Sequence, residues 1–128
     1  MIEHRAFFGD GEKTFALPAE QILELERITG ATIGAVWAQF MALQPGFANI
    51  MAVIRLGMIG GGASPKEAAA LVDAYAKPTP IMESFQLAFD ILAARWNGTA
   101  PEAPASQDAV AAGDLAAAIH EAYADVSE

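Results

Sequence analysis

The chain has 128 residues, 54% of them hydrophobic, a formal net charge of −9 and no cysteine. That is enough apolar material for one core of the size usual in domains of about 100 residues, and the missing thiols exclude disulfides, thiolate nucleophiles and Cys-ligated zinc. None of the seven Lys and Arg residues falls in a run, which argues against a nucleic-acid partner, because phosphate neutralisation needs clustered basic groups.

The first expected element is a hairpin. His4 to Phe8 and Lys13 to Leu17 flank Gly9-Asp10-Gly11, where Asp-Gly supplies the positive φ of a tight turn. Ala6 and Phe8 share one face of the first strand, and Phe15 and Leu17 share one face of the second. One side can therefore cover a helical core, and must, because an isolated hairpin is marginally stable.

Five helices are expected to follow. Pro18 to Thr29 carries Ile22, Leu25 and Ile28 at helical spacing, with Glu20, Glu24 and Arg27 outside and Gly30 at C′. The second helix places Ile33, Val36, Trp37, Phe40 and Met41 in a core stripe and stops near Gln44-Pro45-Gly46. The third, Phe47 to Ile59, is the most apolar and the expected centre of the fold. Arg55 lies among Ile54, Leu56 and Met58, so it must reach water or pair with Glu24, Glu26, Asp73, Glu83 or Asp90.

Gly60 to Gly62 stop that helix, and at least one of them should hold a glycine-only conformation. Ser64-Pro65-Lys66-Glu67 then reads as a capping box with proline at N1, opening a helix that presents Ala68, Leu71, Val72 and Tyr75 on one side and ends before Pro78. The fifth helix takes Thr79 as its cap and Pro80 at N1. Ile81, Phe85, Ala88, Phe89, Leu92 and Trp96 form its stripe, Arg95 suits the carboxyl end of the dipole, and Gly98 ends it. The fold class is mainly α, a small N-terminal hairpin docked on about five helices over residues 1–98.

Residues 99–128 read as a linker and an acidic tail, mobile or weakly helical. TAPEAPAS marks the boundary, and the tail carries −6 of the net charge, whereas ten carboxylates against seven basic groups leave residues 1–98 at −3. Leu115, Ile119, Ala122 and Tyr123 make only a thin stripe. Ile33 to Gly62 is apolar for about thirty residues, but Arg55 and several polar residues interrupt it, so two buried helices are expected there and no membrane span. Glu3, His4 and Arg5 precede any apolar run, which gives no secretory signal and a cytoplasmic expectation. Asn97-Gly98-Thr99 is then a chance match to a glycosylation acceptor.

Chemistry-bearing patterns are few. Gly57, Gly62 and Ser64 have the spacing of a phosphate-binding GxxxxGK[ST] loop, but Ala63 stands where the lysine belongs. His4 and His120 lack a second histidine at helical spacing, Asp10 and Glu12 flank a turn glycine, and Glu20 and Glu24 lie one helical turn apart without an opposing carboxylate pair. Ser64 and Ser84 lack a nucleophile elbow. No catalytic, cofactor or metal-ligating residue is assigned.

Taken in order, FFGDGEKTFALP, Leu25-Glu26, IRLGMIGGG, SPKEAAALVDAY and PIMESFQLAFDILAARWNG resemble the gene-transfer-agent family of phage tail-assembly chaperones, over residues 4–98. The residues carrying the resemblance are Gly9, Asp10, Gly11, Phe15, Leu17, Arg55, Gly57, Gly60, Gly61, Gly62 and Pro80. It implies a small non-enzymatic protein, without cofactor, that binds the tape-measure protein during tail assembly; whether it also forms a homo-oligomer is left open. A minor tail or connector subunit is the alternative. A metal-dependent hydrolase using Asp10, Glu12, Glu20 or Glu24 is a third and weaker reading.

Overall fold

A computed structural model describes residues 2–98, so the linker, the acidic tail and His120 lie outside the described residues. The hairpin consists of β1 (His4–Phe8) and β2 (Gly11–Phe15), paired antiparallel with Phe8 opposite Gly11. Two residues form the turn, and the positive φ falls on Gly9, at +68°, rather than on the Asp-Gly step. A primed turn with glycine at its first central position matches the right-handed twist of the strands. Phe8 and Phe15 point into the core and meet edge to face at 6.1 Å, while Phe7 points out.

The helices are α1 (Ala19–Thr29), α2 (Ile33–Met41), α3 (Phe47–Gly60), α4 (Pro65–Leu71) and α5 (Ile81–Asn97). As its sequence implies, α3 is central. It buries Ile50 to Ile54 and Leu56 to Met58, and it packs on α1, α4, α5 and β2. At Gly57 a side chain would press on Ile91 and Phe15, so the hairpin, α3 and α5 converge there, tied by Ala16 N–H donating to the Gly57 carbonyl at 2.9 Å. Arg95, expected at the dipole end of α5, reaches across to donate through Nε to the Leu17 carbonyl at 2.6 Å.

Local signals account for most boundaries. Thr32 caps α2 by accepting from Ala35 N–H at 3.1 Å, and Ser64 caps α4 by accepting from Glu67 N–H at 3.1 Å, with Pro65 at N1. The reciprocal Glu67 bond of a full capping box is not made among the described residues. At the end of α3, Ala63 N–H bonds the Met58 carbonyl and Gly62 N–H bonds the Ile59 carbonyl, a Schellman arrangement with Gly62 at φ +119°.

Several details depart from expectation. The same terminal pattern closes α2, through Gln44 to Gln39 and Leu43 to Phe40, so the helix stops on Leu43 at φ +60° before the Pro-Gly break is reached. Past Leu71 the fourth helix widens into a π turn, Val72–Ala76, which leaves Ala68, Val72 and Ala76 buried and turns Tyr75 outward against Phe8. Thr79 does not cap α5; its hydroxyl donates back to the Tyr75 carbonyl, and Pro80 holds the cap position. Met41, Phe47, Ile81 and Trp96 were expected in the core and are exposed, because Val36 and Phe40 on α2, and Ser84, Ala88, Ile91 and Leu92 on α5, take the inward positions. A run of stacked rings, Phe40, Phe85, Phe89, Trp37 and Trp96, leads from the core to the surface at centroid spacings of 5.2–5.9 Å.

Candidate functional site

The residues weighed for catalysis are not assembled into a site. Asp10 binds Lys13 at 2.8 Å, which holds its carboxyl below the ordinary range. Glu24 is engaged by both ends of the Arg27 guanidinium and is likewise lowered. Glu12 stands on the hairpin and Glu20 on α1, both exposed, and among the described residues no three His, Asp or Glu side chains come together to hold a metal. His4 lies against Phe15 and 4.0 Å from Asp90. Burial pushes the Asp90 carboxyl up, against the opposing effects of a hydrogen bond from Gln86 and of His4.

The GxxxxG match dissolves in the same way. Gly57 is inside α3 and Gly62 closes it, so the spacing spans the end of one helix and the start of the next, with no strand leading into a phosphate loop. Ser64 is a cap. Ser84 is buried and donates to the Ala76 carbonyl at 3.0 Å, anchoring α5 to the π turn; its burial has no signature beyond its place one turn before Ala88.

What the fold does build is surface. A groove of about 520 Å³ lies between α1, α3 and the fourth helix, walled by Ile28, Phe47, Met51, Ala52, Ala69 and Val72, with Arg55, Asp73 and Lys77 as its charges. A second, of about 530 Å³, runs between β1 and α5 beside Tyr75, and carries Glu83 and Asp90. A third, of about 380 Å³, is framed by Ile22, Ile33, Leu92, Arg95 and Trp96. Around them stand exposed apolar side chains. Met41 (58% exposed), Leu43 (74%) and Phe47 (44%) crowd the corner between α2 and α3, and Phe47 is also a wall of the first groove.

Arg55 must reach water or pair with a carboxylate, and none of the five candidate carboxylates forms an ion pair with it. Glu24 is held by Arg27, Asp73 by Lys77 at 2.7 Å, and Glu26 accepts from Ile33 N–H at 2.8 Å. Asp90 faces Gln86 and His4, and Glu83 lines the other groove. Arg55 lies close enough to lower the Glu24 carboxyl slightly, yet it makes no ion pair with a described residue.

A core closed on its own, no assembled catalytic group among the described residues and open apolar grooves define a small helical domain with an interaction surface. Residues 1–98 match the family described as phage tail tube protein, GTA-gp10, and the chain belongs to that family. It is therefore a tail protein of a phage or gene transfer agent, and the tail association implied by the resemblance holds. The family's description names a tube protein, not specifically a tape-measure chaperone. No curated protein and no solved structure matches the chain. Among the described residues no helix is long and apolar enough to cross a membrane.

Proposed function

We propose that the chain is a non-catalytic tail-assembly chaperone that binds helical segments of the tape-measure protein while the tail is built. The observation that supports this reading is the exposed corner of Met41, Leu43 and Phe47 opening onto the groove between α1, α3 and the fourth helix. Exposed apolar side chains gathered at one helix corner, on a domain whose own core is filled, suit a place where another chain docks, and a groove between helices suits an amphipathic helix. Leu43 strengthens the case. It is held at φ +60°, a conformation that costs a non-glycine residue roughly 1–2 kcal/mol, while its side chain faces water.

The family description favours a second reading, a structural subunit retained in the tail. Co-expression with the tape-measure protein of the same operon, followed by mass spectrometry of purified particles, separates the two. A chaperone raises the soluble fraction of the tape measure, co-purifies with it and is missing from the finished particle. A stoichiometric presence in particles, with no complex beforehand, overturns the chaperone reading in favour of the structural one.

A further inference from the structure

The chain has seven Lys and Arg residues, and all of them are described. Arg5, Lys13, Arg27 and Lys77 face Glu3, Asp10, Glu24 and Asp73, and Arg95 donates to the Leu17 carbonyl. Lys66 stands exposed in the first turn of α4. Only Arg55 combines partial burial with the lack of any hydrogen bond or ion pair to a described residue.

Its surroundings sharpen the mismatch. Ile54 and Leu56 beside it are fully buried, and the groove it lines is walled by Ile28, Phe47, Ala52 and Val72. The one carboxylate on that wall, Asp73, is already bound by Lys77. Glu24 feels the Arg55 charge but is hydrogen-bonded by Arg27, so the partly buried guanidinium has no ion pair of its own among the described residues, and apolar replacement should cost the isolated fold little or nothing. The groove thus joins apolar walls to a cation that makes no ion pair with a described carboxylate.

We propose that this groove docks a partner helix whose apolar face carries one Asp or Glu, seated against the Arg55 guanidinium. This rests on the chaperone reading and adds the chemistry by which one helix is chosen over another. Apolar contacts with Ile28, Phe47 and Val72 supply affinity but fix no register along an amphipathic helix. A guanidinium that forms two parallel hydrogen bonds with a carboxylate does fix register. Closure of the groove over the pair removes both charges from water together, which makes the wrong helix, apolar but lacking the acid, a poor ligand.

The test uses the full chain and labelled synthetic helices tiling the tape-measure protein of the same operon, with affinity read by fluorescence anisotropy. Binding peptides should carry an acid on their apolar face. Arg55→Gln and replacement of that acid by the amide should each weaken binding about thirty-fold or more, and together little more than either alone. Arg55→Glu paired with a lysine in the peptide should restore part of the loss. Arg55→Met should melt at or above the wild-type temperature; a lower melting point assigns Arg55 to packing and overturns the proposal. Tight binding of the tape-measure helices that is indifferent to Arg55 overturns the groove assignment and leaves the chaperone reading standing, whereas failure of the wild-type chain to bind any tape-measure segment ends both. Two further outcomes replace the proposed occupant and overturn it. Removal of residues 99–128 that tightens binding only when Arg55 is present identifies the chain's own acidic tail, and dimerisation abolished by Arg55→Glu identifies a second copy.

Discussion

Replacing Gly60 with alanine adds one methyl group where the backbone of the next layer already sits. An ideal Cβ there lies 1.9 Å from the Ala16 carbonyl oxygen and 2.7 Å from Pro18 Cδ, and must retreat about 1.1 Å to reach 3.0 Å, the shortest separation that real Cβ atoms show. The obstacle is backbone, so no rotamer change relieves it. Either α3 or the segment after β2 moves, and the Ala16-to-Gly57 hydrogen bond that ties them is stretched. Overpacking of this kind costs about 1–3 kcal/mol and a lost buried hydrogen bond about 1–2 kcal/mol, offset by about 0.5–1 kcal/mol from alanine's better helix propensity. The net is roughly 1–4 kcal/mol, which in a domain of this size lowers the melting midpoint by roughly 4–30 °C. Gly34→Ala is the control. Its Cβ meets only Thr32 Oγ1 at 4.0 Å, so it should stabilise α2 by about 0.5–1 kcal/mol. Thermal melts followed by circular dichroism decide the matter, and a Gly60→Ala protein melting like wild type would refute the close contact between α3 and the strand exit.

Ser84→Ala strips the Ala76 carbonyl of its buried donor and should cost about 1–2 kcal/mol in urea unfolding, with an unchanged slope. Leu43→Gly relieves a left-handed leucine and should raise stability by about 1 kcal/mol while weakening capture of the tape-measure protein, two effects of opposite sign on one variant. Asp90→Asn tests the burial of that carboxyl. A raised folded-state pKa means that the fold holds the proton more tightly than the unfolded chain, so wild-type stability falls as pH rises from the ordinary 3.8 through the raised value. The variant should therefore melt above wild type at pH 7, with the gap closing toward pH 4. Truncation after Gly98 should leave a cooperatively melting domain with its midpoint nearly unchanged; an insoluble fragment would move the domain boundary into the tail.

The elements were legible because each has a local cause. Periodic apolar spacing placed all five helices, and Gly30, Ser64-Pro65 and Gly98 marked ends that the backbone honours. The triple glycine was legible as a stop but only partly for the right reason. Gly62 carries the positive φ, whereas Gly60 and Gly61 are required by the Ala16 and Thr14 carbonyls packed on them, a contact between segments more than forty residues apart that no local pattern encodes. Stripe membership failed at helix ends. Met41, Phe47, Ile81 and Trp96 obey the period, yet terminal turns extend beyond the neighbour they would pack on, so burial there depends on tertiary placement. The groove was out of reach for a related reason. Arg55 was visible as an anomaly in α3, but its lack of an ion pair among the described residues arises only once Arg27, Lys77 and Ile33 have taken the carboxylates around it.

The arrangement of the exposed side chains bears on how this tail protein works. Phe7 on the hairpin, Leu23 on α1, Ile81 and Met82 at the start of α5 and Trp96 near its end lie on different elements from the corner of Met41, Leu43 and Phe47. A tube subunit meets its neighbours through head-to-tail interfaces that use different patches on opposite sides, and such a distribution serves it well. Apolar patches of this kind confer affinity without saying which partner fits or in what register. The proposed Arg55 groove differs in kind, since it joins apolar walls to a cation with no ion pair among the described residues and would penalise a partner lacking the complementary acid. Permanent subunits can rely on area and symmetry to fix their order. On the chaperone reading, a protein that selects a few helical segments along a long chain, and later releases them, needs selection at each site, and a partly buried arginine with no ion pair to a described residue would supply it.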